Sequence, residues 1–69
     1  MPAAGGWLIG VLVTEPGAAA PARHYFAVGH DDQGKAEWCA VDRALLAGRV
    51  AASPVGGLEP VAALRHYPP

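Results

Sequence analysis

The sequence predicts a small two-layer α+β domain: two or three mostly antiparallel strands, one main helix on a face of the sheet, and a short C-terminal helix completing the layer. Three stretches carry that prediction. Trp7 to Thr14 (WLIGVLVT) is an apolar, partly β-branched run of strand length. Tyr25 to Val28 is a second, aromatic and β-branched run, and the residues from Gln33 to Ala47 are helix formers that end at Gly48. An acidic turn, Gly29 to Asp32, joins the second and third stretches, and either Asp31 or Asp32 suits the helix N-cap.

In chain order, residues 1–6 (MPAAGG) offer nothing to pack and are expected to be flexible. In the first strand, Trp7, Ile9, Val11 and Val13 share one face by the period of two, and Gly10 on the other face leaves room for a close approach. Glu15 to Ala22 is a loop with a turn at Pro16-Gly17, which favours antiparallel pairing of the first two strands. Both faces of the second strand carry apolar atoms, which suits a strand with a neighbour on each side.

On the helix, Trp38, Val41 and Leu45 form one stripe, while Ala36, Cys39, Ala40 and Ala47 cover much of the remaining circumference. One apolar face can lie on the sheet and the other can meet a second subunit. Arg49 to Ser53 is a short candidate strand, followed by turn chemistry at Pro54 to Gly57. Leu58 to Leu64 has Glu59 and Pro60 where a first helical turn tolerates them, and Leu58, Val61 and Leu64 at helical spacing, so it reads as the short helix. Residues 65–69 read as an extended, proline-stiffened tail. The whole of 1–69 is read as one domain.

Composition excludes several functions. Five Lys+Arg against six Asp+Glu build no positive field for a phosphate backbone, so nucleic acid is not expected as a partner. The apolar run is far short of the ~20 residues a membrane-spanning helix needs. A secretory signal is outweighed because no Lys or Arg precedes the run and Glu15-Pro16 separates it from the alanines. A single cysteine, Cys39, allows no internal disulfide, and a chain this short buries only about 60% of its unfolded surface, so partner association is the expected compensation. Fifteen alanines with abundant glycine and proline match the bias of a GC-rich bacterial genome, which gives the expectation of a cytoplasmic bacterial protein.

Gly29 to Ala36 (GHDDQGKA) fits G-x-x-x-x-G-K between a strand and a helix, and over those eight residues it resembles the P-loop of nucleotide-binding proteins. Ala36 stands where that motif holds magnesium through Ser or Thr, and Asp31 and Asp32 put negative charge inside the cradle. His24, His30, Asp31, Asp32, Cys39 and His66 carry metal-ligating groups, but they lack C-x-x-C or H-x-x-x-H spacing, so no metal and no cofactor are expected. Cys39 sits mid-helix, away from the dipole that would activate it, and adjacent carboxylates cannot flank a substrate, so the chain is not expected to be an enzyme.

The reading that results is a non-enzymatic interaction module, a homodimer or an accessory to another bacterial protein, with Trp7, Trp38, Val41 and Leu45 as interface candidates. The alternative is a small-ligand or metal-binding protein using the Gly29–Lys35 turn, with His30, Asp32 and Lys35 as the candidate contacts. A third, an enzyme subunit completing another chain's active site, has no residues of its own to argue from.

Overall fold

Residues 5–69 are described by a computed structural model, in which a single helix covers one face of a four-stranded antiparallel sheet. The elements run β1 (Gly6–Thr14), β2 (Ala22–Val28), α1 (Gln33–Ala47), β3 (Arg49–Val50) and β4 (Val61–Tyr67). Expected and observed helix bounds coincide. The chain is therefore the α+β domain the sequence predicts, with more sheet and less helix.

β1 is the centre of the sheet because it is the one segment apolar enough to be covered on both edges. On one side it pairs with β2, from Trp7 opposite Val28 to Val13 opposite Ala22. Its other side is shared: β4 pairs with Gly6 to Val11, and the two-residue β3 pairs with Val13 and Thr14. The helix-facing residues Ile9, Val11 and Val13 are at most 1% exposed and meet Ala36, Ala40 and Ala44, which are fully buried. Alanine at i, i+4 and i+8 makes one face of α1 flat, so the helix backbone comes close to the sheet. The buried stripe is thus the alanine face; Trp38 and Leu45 point away from the core, and Val41 is half-buried on the flank toward Val50 and Val61.

Four expectations are corrected. Leu58 to Leu64 forms no C-terminal helix: Leu58 belongs to a turn, and Val61 onward is β4. The tail expected at residues 65–69 is in the sheet as far as Tyr67. β2, expected to have neighbours on both sides, is an edge strand among the described residues, because β1 takes the central place. Of the N-terminal segment expected to be flexible, Gly6 opens β1 and Gly5 is buried, and residues 1–4 lie outside the described residues.

Two details of the backbone set up the site. Between Leu8/Ile9 and their partners the β1–β4 register shifts: Ile9 is opposite Ala63, while Leu8 is opposite Arg65. Leu64 is the extra residue of a β-bulge, and it reverses the facing of everything after it. Val61 and Ala63 pack on the core before the bulge, and His66 returns to the helix side after it. Without the bulge, Arg65 and Tyr67 would take that side. The second detail is the turn ahead of β4, where Val55 and Leu58 exchange backbone hydrogen bonds of 3.0 Å in both directions around Gly56 and Gly57. Both glycines have positive φ, 58° and 81°, as a type I′ turn requires.

Among the described residues, no helix lies over the second face of the sheet. Gly10 lies there, and its lack of a side chain is used: Arg23 crosses directly above it and donates from Nη2 to the Glu59 carbonyl at 3.2 Å. A Cβ on Gly10 would stand 2.7 Å from Arg23 Nη1. The close approach expected at this position is therefore the protein's own arginine, strapping β2 to the segment that leads into β4.

Candidate functional site

The acidic turn divides its two aspartates between two structures. Asp32 is the N-cap of α1, with extended dihedrals (φ −73°, ψ 120°), and its Oδ1 accepts from the Lys35 backbone N–H at 2.9 Å. Its carbonyl also accepts the first helical bond, from Ala36 N–H at 3.0 Å. Capping satisfies an otherwise orphaned donor and places a carboxylate at the positive end of the helix dipole. Asp32→Ala is expected to lower stability by about 1 kcal/mol, read as a shifted midpoint in urea, and Asp32→Asn should recover most of it.

Asp31 turns the other way and joins a three-residue cluster that no sequence motif announces. Its Oδ1 lies 2.6 Å from His66 Nε2, and its carbonyl accepts the Trp7 indole N–H at 2.7 Å. Trp7 and His66, opposite one another in the β1–β4 register, stack with ring centroids 4.5 Å apart and planes inclined at 29°. Three elements meet here: the start of β1, the end of β4 and the entry to α1. A signal for the cluster existed in the sequence, since Val61 to Tyr67 holds no proline and ends on an aromatic. It became visible only once that segment was known to be a strand, and the Leu64 bulge then decides that His66 is the residue delivered.

Chemically, a carboxylate that fixes an imidazole is half of an acid–base pair. The single thiol, Cys39, lies elsewhere, on the flank of α1 facing β2, and no described histidine hydrogen-bonds to it. His66 and Asp31 are both substantially exposed, and a pair in that setting contributes no more than about 1 kcal/mol. The cluster's work is to hold the β4 end and the helix entry against β1.

The other expected ligand residues do not converge. His30 and Lys35 are exposed, Asp32 is spent on the cap, and His24 lies on β2, 3.9 Å from Glu15. His30, Cys39 and Asp42 line a common groove between β2 and α1. Among the described residues, no three acidic, histidine or cysteine groups could hold a metal ion together.

The interface candidates separate as well. Trp7 is half-buried against the core and engaged with Asp31 and His66. Trp38 is 72% exposed and Leu45 57%, with Val41 half-buried beside them. Leu46, not singled out from the sequence, is 89% exposed and lies on the neighbouring flank of the helix, in line with Cys39, Asp42 and Arg43. No helix is long and apolar enough to cross a membrane among the described residues. No protein-family model, curated protein or solved structure matches this chain.

Proposed function

We propose that this chain is a non-enzymatic association module, acting as a homodimer or as an accessory to another bacterial protein. The observation that carries the reading is the outer side of α1, where Trp38 and Leu45, i and i+7 on one stripe, are both exposed, with Leu46 exposed on the adjoining flank. The alanine face makes the fold without them, so these side chains contribute little to intramolecular packing. Aromatic and large aliphatic groups exposed side by side are a feature of contact surfaces. The rival reading, ligand binding at the Gly29–Lys35 turn, is weakened because Asp32 and Asp31 are already committed to the helix cap and to His66.

The test is the solution molar mass by light scattering during gel filtration. A mass near twice the 7.1 kDa of the chain is expected, and a monomer at every concentration would overturn the homodimer. Trp38→Ala separates the surface role from a folding role. It is expected to change the unfolding free energy of the monomer by no more than about 0.5 kcal/mol, as measured by urea titration followed by circular dichroism at a concentration below the dimerisation range.

A further inference from the structure

Exposed sheet edges invite pairing, and proteins blunt them with lysine, proline, a bulge or a covering element. The two long edges of this sheet are treated differently. β4 carries the Leu64 bulge and runs into Pro68-Pro69. β2 has no lysine, no proline and no register shift over its seven paired residues. Its one permanent charge, Arg23, is folded inward over Gly10 to the Glu59 carbonyl. Among the described residues nothing pairs with its outer side.

Beside that edge lies an open groove of about 650 Å³, with Phe26 and Val28 on the strand side and Cys39, Asp42 and Arg43 on the helix side. Asp42 and Arg43 are adjacent, exposed and opposite in charge. A two-fold axis through the groove would set Asp42 of each copy against Arg43 of the other. A wall carrying both signs is complementary to itself under that operation, whereas a partner of one sign would meet repulsion from one of the two groups.

We infer that the β2 edge is a self-association surface: β2 pairs antiparallel with β2 of a second copy, joining the two sheets into one and bringing the two helices side by side. This assignment rests on the association reading above; it brings Leu46, in line with Cys39, Asp42 and Arg43 on the helix flank, toward the second copy and leaves Trp38 and Leu45 free for a further partner.

Two measurements on the full chain test it. Asp42→Arg should raise the dimer dissociation constant at least about tenfold by placing like charges across the axis, and the Asp42→Arg/Arg43→Asp double variant, again self-complementary, should restore it to within about threefold. Both positions are exposed, and circular dichroism is expected to show an unchanged fold. Independently, hydrogen exchange in the Ala22–Val28 segment of the unmodified protein should slow as concentration passes through the dimerisation range, with Val61–Tyr67 unaffected. A dimer that survives Asp42→Arg, shows concentration-independent exchange in β2 and is broken by Trp38→Glu would overturn the edge assignment and keep the association module. A monomer throughout would overturn the edge assignment together with the homodimer, leaving only an accessory to a different protein.

Discussion

Ile9→Ala is expected to lower the unfolding free energy by about 2 to 5 kcal/mol. Ile9 is fully buried at the middle of β1, opposite Phe26 and Ala63, and it packs in one cluster with Ala36, Ala40 and Ala44. The cost of such a truncation depends on how far the surroundings collapse into the space left behind. Here the lining on the helix side is alanine, whose methyl groups cannot reach inward, while on the sheet side Phe26 and the other partly buried side chains of the cluster could move into part of the space. The middle of the range is therefore expected. A chain of 69 residues has a total stability of about 3 to 10 kcal/mol at the usual ratio per residue, and a substantial unfolded population should appear in water. Chemical denaturation followed by circular dichroism would show it. A loss under about 1 kcal/mol would mean that α1 does not pack on this face of β1.

The converse substitution, Ala40→Leu, is expected to cost about 1 to 3 kcal/mol. It adds three carbons at a position with no exposed surface, at the centre of the alanine stripe. The helix must then move away from Ile9, Val11 and Val13, or the leucine must take a strained rotamer. Helix propensity does not confuse the result, since alanine and leucine are both strong helix formers. For a domain of this size each kcal/mol corresponds to about 4 to 8 °C in the melting temperature. Leu46→Ala, on an exposed flank of the same helix, is the control and should leave the melting temperature of the monomer nearly unchanged.

How much of this was readable in advance depended on whether the signal was local. α1 was legible to the residue because its boundaries are local chemistry: Asp32 satisfies the first amides and Gly48 follows the last helical turn. β1 was legible because eight consecutive apolar or β-branched positions with a glycine among them suit little else. β4 was not, because its residues argue locally for a helix. Pro60 and the Leu58, Val61, Leu64 spacing fit a first turn, and alanine is a poor strand former. What overrides them is the demand of β1, a strand apolar on both faces that needs a partner on each edge, and only the C-terminal segment was long enough to supply the second. The same misplacement hid the Trp7–Asp31–His66 cluster, since residues 24 to 59 positions apart meet there through strand pairing. The helix stripe was misleading in a different way. Trp38, Val41 and Leu45 outweigh three alanines on any hydrophobicity scale, but a helix lying close on a flat sheet selects for small size.

The alanine seam between helix and sheet also sets how this protein should respond to temperature. The heat capacity gained on unfolding grows with the apolar area that becomes wetted, and methyl groups contribute little of it compared with leucine or phenylalanine. A seam built this way gives a shallow curve of stability against temperature, with a broad maximum and a cold limb displaced far downward. The domain should therefore keep nearly the same margin of stability over a wide span of temperatures and gain little from cooling.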